Sequence, residues 1–545
     1  MVIFYTTINY FYLIKFIMNF GQLFLIINIG LIASIINVLH VVIGYARTLP
    51  GQVYMATGHY YLDYFEYLQA LSQGWHGHWL YENYYGTDVK LKTVFGMWQN
   101  LLIGQVGKFF GLSQIVSYWL SIVFFSIILS LLIFFVIRKI LKDRPFYWQF
   151  AAFLLALTSS PFFKIAYQNR QISLIPFRFW SDKAMLLDRF SSTPYHITDQ
   201  IMILIIILLI SATIDHLDTY SKKILIFKTT IIVTLFAFLI TFSPVYFVLG
   251  VCALGISLIC LIILKQSFVK IKYLSVIIGV LIPIGWLTKV LFIDKIFGGI
   301  SQFETSWQVH PPLLGVILTT GPILLFVLFG IKSYFSKMTS IRLFMMGFSI
   351  SSYLFFFSPL ASYLGTVNTR FLSPLNYIIF GVLAVSGIKK KKFLTIICAI
   401  FIILFIPSTI KEINTRINDR NITSPITYLP KGIVDGFKYL KTFSSRGVIL
   451  TTPAQFLGII IPIYTDKPVY MSRPGQLGYY EKSDLSAKFY WNIFTENQAK
   501  EFIDQNQIGF VVLTSIEGYP PDNLKKYKFL KEIYHNKDIV ILQVR

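Results

Sequence analysis

Charge is what this sequence has least of. Only 13% of its 545 residues are Asp, Glu, Lys or Arg, and 55% are hydrophobic. A soluble domain carries about a quarter charged residues. The shortage excludes a water-solvated core of this size and points to a chain solvated mostly by lipid. Acids are scarcer than bases: 25 Asp and Glu face 48 Lys and Arg, a formal net charge of +23. A nucleic-acid partner does not follow, because the basic residues form no single patch. Many fall in short intervals between apolar runs, where they set membrane orientation. Cysteine is nearly absent, and Cys252, Cys260 and Cys398 all lie inside apolar runs, unsuited to a disulfide or a CxxC metal site. No GxGxxG or P-loop marks a nucleotide site. No internal repeat is evident, which weighs against an inverted-repeat transporter. Lys15 is the one early basic residue and no small-residue cleavage site follows, so no cleaved signal peptide is expected; Met18 is a second candidate start.

What is abundant is apolar sequence in long runs. A lipid-spanning helix needs about 20 apolar residues, and about eleven runs approach that length. They fall near 22–43, 115–137, 147–165, 198–214, 224–242, 245–264, 273–292, 313–331, 341–357, 374–388 and 393–409. The basic intervals "RKILKDR" (138–144), "KQSFVKIK" (265–272), the one with Lys332, Lys337 and Arg342, and "KKKK" (389–392) alternate with less basic ones. The positive-inside rule puts these four in the cytoplasm and the N-terminus with them. Intervals 44–114, 166–197, 293–312 and 358–373 then face outward, as does the tail. The expected fold class is mainly α, a polytopic transmembrane helical bundle (1–410) with a small extracytoplasmic α/β domain (411–545). In that tail "GVILTTP" (447–453), "KPVYMS" (467–472), "IGFVVLT" (508–514) and "DIVILQV" (538–544) read as strands. "TENQAKEFIDQN" (495–506) reads as a helix capped by Thr495.

The first outward interval concentrates polar chemistry. In "HYYLDYFEYLQALSQG" the helical spacing puts His59, Asp63, Glu66 and Ala70 on one face, and Gly74 is expected to end the helix. "WHGHWLYENYYG" follows, with Trp75, His76, His78, Trp79, Tyr81 and Tyr84. "VFGMWQNLLIGQVGKFFGL" (94–112) is broken by glycines and polar residues, and is expected to lie on the membrane surface. By themselves these residues also suit an interfacial belt of aromatics and solvated carboxylates.

The pattern "D..EYL...GWHGHWL", followed by a surface helix and "GLSQIVSYWLSIVFF", resembles the GT-C class of membrane glycosyltransferases. So do "DRFSSTPYHITDQIMILIIILL" (188–209), "SWQVHPPLLGVILTTGPILLFVLFG" (306–330) and "NTRFLSPLNYIIFGVLAV" (368–385). The resemblance implies an enzyme of the bacterial cytoplasmic membrane with its site on the outer face. It implies transfer of sugar from a polyprenyl-phosphate donor to a glycan, lipid or protein acceptor, with inversion. Asp63 matches the essential acid of the first outward loop, and Glu66 lies one turn on; the adjacent Asp-Glu pair of some members is absent. Arg370, His196 and Arg189 fall at outer ends of spans.

That chemistry uses these residue types for physical reasons. A carboxylate within hydrogen-bond reach takes the acceptor hydroxyl's proton, the role expected of Asp63, with Glu66 orienting the acceptor. A guanidinium binds two phosphate oxygens at once, which suits Arg370; Arg170, Arg178, Lys183 and Arg189 add positive charge, and His196 adds a further donor. Trp75, Trp79, Tyr81 and Tyr84 are candidates for sugar stacking, and His59 and His78 for hydrogen bonds. Some GT-C members use a divalent ion and others do not, so the metal stays open. A transporter and a non-catalytic assembly protein are the alternative classes.

Overall fold

The computed structural model describes residues 19–57, 61–86, 92–93, 96–168, 171–179, 183–293, 304–418, 426–444, 447–472 and 478–545. The chain divides into two compact units. One is residues 1–37 with 122–413; the other is 38–121 with 414–545.

The first unit is helical because its runs are apolar all round, as a lipid-solvated helix must be. Over the whole chain, eight helices among the described residues have the length and apolarity to cross a membrane: Phe20–Ala46, Gln114–Ile140, Pro194–Asp215, Lys222–Ile240, Pro244–Ile263, Phe268–Ile293, Ser340–Phe357 and Lys391–Ile417. Leu313–Thr320 and Leu324–Phe335 form a ninth span only as a pair bent by 89°. The break sits at Gly321, whose φ of +94° suits glycine and whose absent Cβ would collide with the Ser160 carbonyl; Pro322 follows. Phe146–Thr158 and Asn376–Ser386 are apolar but short. The expected count of about eleven spans is not reached: among the described residues eight helices qualify, or nine with the bent pair.

Hydrogen bonds sort the helix ends of this unit into two groups. At one end Arg342 donates to the Ile140 carbonyl at 2.9 Å, Lys337 pairs with Asp143 at 3.0 Å, and Arg144 donates to the Ser386 carbonyl at 3.3 Å. Ser340 bonds Asp215 there too. At the other end Asn37 donates to the Ser191 carbonyl at 2.8 Å, Glu412 accepts from the Leu187 N–H at 3.2 Å, and Ser243 bonds Asp199 at 3.2 Å. The basic intervals 138–144 and 332–342 therefore share one end, as the alternation of charge requires.

The second unit joins the first polar interval to the tail. Gln52–Tyr54 pairs antiparallel with Tyr428–Pro430. A four-stranded sheet runs Val448–Leu450, Ile508–Thr514, Ile539–Val544, Leu530–His535 in spatial order; the first pair is parallel and the others antiparallel. The expected strand at 467–472 is reduced to single bridges from Val469 to Ile449 and to Tyr85. Leu530–His535 is a strand that the sequence hid. It is an edge strand with charged Lys531 and Glu532 exposed, so it lacks an apolar run. Thr495 caps Glu496–Gln505 through a reciprocal bond with Gln498.

Two helices of the first interval, Tyr61–His76 and Trp98–Phe109, cross at close range. Glycine permits this: a Cβ at Gly74 would overlap the Leu101 carbonyl, and one at Gly104 the Leu71 carbonyl. Gly74 does not end its helix, as the sequence suggested; Gly77, at φ +100°, does. Gly104→Ala is expected to force the helices apart and cost about 1–3 kcal/mol, read as a lowered thermal midpoint. Trp98–Phe109 buries Gln99, Asn100 and Leu101 and exposes Leu102, Val106 and Phe109, which fits a helix lying on a membrane surface.

Candidate functional site

In the helical unit, Arg370 sits in the turn Asn368–Phe371, between the helices Ser340–Phe357 and Asn376–Ser386. The turn is tied to the segment before the bent pair. Asn368 donates to the carbonyls of Val309 at 2.7 Å and Phe356 at 2.8 Å, and accepts from the Val309 N–H at 3.0 Å. Arg370 pairs with Glu304, which is 7% exposed and also accepts from the Thr366 hydroxyl at 2.6 Å. The pairing with Glu304 fixes the direction of the guanidinium fork.

More charge gathers at the same end. His196, in the first turn of Pro194–Asp215, has its Nδ1 3.9 Å from Asp199, a fully buried acid held by Ser243. Tyr246 bonds Ser373 at 3.0 Å beside them. Arg178 pairs with Asp188. Burial pushes the Lys183 amine below its ordinary range; Asp188 opposes this, Arg370 adds to it, and Asp199 and Arg178 act more weakly. The charges of Lys183 and Arg370 also act on His196. Arg370 thus acts on Lys183 and both act on His196, while Glu304 is paired with Arg370 and Asp199 lies 3.9 Å from His196.

Arg189 is 5% exposed, and its guanidinium donates to the carbonyls of Ala156 at 2.8 Å, Leu157 at 2.9 Å, Ala184 at 2.7 Å and Ser159. Its carbon centre lies 3.6 Å over the Tyr377 ring. The side chain ties the end of one helix to the loop that follows, a structural role beside the binding role expected of it.

In the second unit, Asp63 is exposed in the first turn of Tyr61–His76, where the helix dipole favours a negative charge. Glu66 is half-buried on the same helix, three residues on. His59 lies outside the described residues. Trp75 bonds the Leu112 carbonyl at 2.9 Å, and the ammoniums of Lys108 and Lys441 lie 5.7 Å and 5.4 Å from its ring. Trp79 is the open aromatic, 73% exposed, whereas Tyr81 and Tyr84 are both buried at 7% and offer no free face for a sugar. His78 bonds Asp466 at 2.6 Å, and burial pushes the His76 imidazole down to about 4, which keeps it neutral at pH 7. Among the described residues no three His, Cys, Asp or Glu side chains converge as a metal set; Asp63 and Glu66 supply two carboxylates.

Sequence reasoning missed Glu304, Asp199 and Asp466. Asp199 had a signal, an acid inside an apolar run. Glu304 and Asp466 had none, because each is defined by a partner far along the chain.

A further buried acid lies in the tail. Glu517 accepts from the Thr514 N–H at 3.0 Å and from the Thr514 hydroxyl at 2.8 Å, and also bonds Thr452, so it ties together the ends of the parallel strands. Burial lifts its carboxyl from 4.5 to about 7, against those hydrogen bonds. The folded state therefore holds the proton more tightly than the unfolded chain. The stabilisation is complete below about pH 4.5 and is lost as pH rises through 7. Thermal melts are expected to show wild type losing up to about 3 kcal/mol between pH 5 and 8, with that dependence flattened in Glu517→Gln.

No protein-family model and no curated protein sequence matches the chain. Solved structures do match. An oligosaccharyltransferase of Archaeoglobus fulgidus in the apo form gives a TM-score of 0.54 at 10% identity, over 90% of this chain and 69% of its own. The archaeal enzyme AglB, in complex with an inhibitory peptide and a dolichol-phosphate, gives 0.50 at 10% identity, over 88% and 69%. The mycobacterial arabinofuranosyltransferase AftD, in a mutant form, gives 0.53 at 10% identity over 96% of this chain, which spans only 42% of that enzyme. At such identities the likeness is one of fold alone: this chain shares its fold with these membrane glycosyltransferase structures.

Proposed function

We propose that the chain is an integral membrane glycosyltransferase that moves a sugar from a polyprenyl-phosphate donor to an acceptor hydroxyl at the outer face of the bacterial cytoplasmic membrane. The N-terminus lies inside and the tail outside. The observation that carries the reading is Arg370, set by Glu304 in the turn Asn368–Phe371 at one end of an apolar helical bundle, with Lys183 and His196 within reach of its charge. Cations in such a place suit an anionic head on an apolar tail. The similar archaeal structure holds a dolichol-phosphate, a lipid of that chemistry.

In this reading Arg370 grips the donor phosphate, with Glu304 holding the fork, and Lys183 and His196 contribute further donors. Asp63 takes the proton of the acceptor hydroxyl as its oxygen attacks the anomeric carbon. The bond from that carbon to the phosphate oxygen breaks, and polyprenyl phosphate leaves with the electron pair. Its charge is stabilised by the cations. One displacement inverts the anomeric centre. Glu66 orients the acceptor, and Trp79 stacks on a sugar. Asp63 and Glu66 are also the carboxylates that a divalent ion would use. The acceptor is a glycan, a lipid or a protein.

Binding of polyprenyl phosphate to the protein in nanodiscs tests this role of Arg370. Arg370→Ala is expected to weaken it by about 10–100-fold, the worth of a charge-assisted hydrogen bond. Equal binding by both proteins, or none by wild type, contradicts the assignment.

A further inference from the structure

A hairpin in the helical unit has an apolar face that nothing in the proposed chemistry uses. Phe163–Gln168 pairs antiparallel with Gln171–Pro176. Alternation puts Phe163, Ile165 and Tyr167 on one face, opposite Pro176, Leu174 and Ile172. Lys164, Ala166, Ser173 and Ile175 fall on the other face. The outer half of this face is open: Ile165 is 71% exposed, Tyr167 72% and Ile172 75%, while Phe163, Leu174 and Pro176 are half-buried. A lone two-stranded hairpin is marginal in water, so this face needs a cover.

Its roots say which. The Pro161 carbonyl accepts from Ser408 at 3.1 Å, in the helix Lys391–Ile417, which exposes Ile403 at 65% and Ile410 at 60%. The Phe162 N–H donates to the Leu318 carbonyl at 2.9 Å, in the helix Leu313–Thr320, which exposes Leu313 at 67%. The hairpin thus grows out of helices whose outer sides carry exposed apolar residues, as lipid-facing sides do. The outer edges of a two-stranded hairpin present backbone N–H and C=O groups, and such groups cannot enter hydrocarbon unpaired. They can lie in the headgroup layer, with the apolar face resting about 5–10 Å deep on the acyl chains. Tyr167 suits that depth.

We propose that this hairpin is a membrane-interface element, seated flat on the bilayer by Ile165, Tyr167 and Ile172. It goes beyond the catalytic reading and does not depend on it.

The test uses the full chain in nanodiscs, with Cys252→Ser, Cys260→Ser and Cys398→Ser as background. An environment-sensitive fluorophore is placed by Ile172→Cys or Tyr167→Cys on the apolar face, and by Lys164→Cys on the other. Quenching by doxyl-labelled phospholipid is expected to be at least threefold stronger at the two apolar-face positions, about the contrast a difference in depth gives. Iodide in the water should show the reverse order. Iodide reaching all three equally overturns the proposal. So does protection of the apolar-face probes from both quenchers, which means a protein cover. Lipid quenching that appears only after polyprenyl phosphate is added gives the face to that lipid instead, and also overturns it. If the serine background does not fold, a benzophenone amino acid at Ile172 in the otherwise unchanged chain should crosslink to phospholipid; crosslinks to protein alone contradict the seating.

Discussion

Asp63→Asn is expected to lower sugar transfer by about 10²–10⁴-fold, the range a positioned general base supplies. Asparagine keeps the size and the hydrogen-bonding shape but cannot accept the proton. Asp63 is exposed at the start of its helix, so the fold should survive and the donor should still bind. The loss should fall on kcat, with KM for the donor little changed, because the carboxylate acts on the acceptor hydroxyl. Glu66→Gln should instead raise KM for the acceptor, if its role is to orient. Transfer unaffected by Asp63→Asn and abolished by Glu66→Gln would exchange the two roles.

Arg189→Ala should show the largest effect on stability. Four carbonyls would lose their donor and Tyr377 its cation. An unsatisfied buried acceptor costs about 1–3 kcal/mol, so even with partial relaxation the loss is about 3–5 kcal/mol. The protein should melt lower in detergent and accumulate poorly. Arg189→Lys should recover only part, since an ammonium cannot reach four carbonyls spread around a planar fork. Unchanged melting together with lost donor binding would return Arg189 to the ligand site where the sequence analysis placed it.

The bundle was legible because lipid demands long apolar runs, and the basic intervals between them kept their order. What length could not reveal was that the runs at 147–165 and 374–388 would fold as short helices, or that Gly321 would bend another sharply. The tail's central strands were legible as apolar runs. The edge strand Leu530–His535 was not, because exposure lets it carry charge. At the site, residue types were readable and partners were not. Arg370 finds Glu304 across 66 residues and His78 finds Asp466 across 388. Pairings that distant leave no local pattern, so the sequence offered Arg189 and Arg370 as equals. Only burial separates a guanidinium that ties carbonyls together from one held beside a lysine and a histidine.

Turnover is the most direct measurement. Wild-type protein in nanodiscs is given a panel of polyprenyl-phosphate sugars with glycan, lipid and peptide acceptors, and released polyprenyl phosphate is followed by mass spectrometry. The account predicts release from at least one donor, coupled to glycosylated acceptor and lost in both Asp63→Asn and Arg370→Ala. Neither binding nor release with any donor, from protein shown to be folded, would contradict it and leave a membrane assembly protein as the better reading.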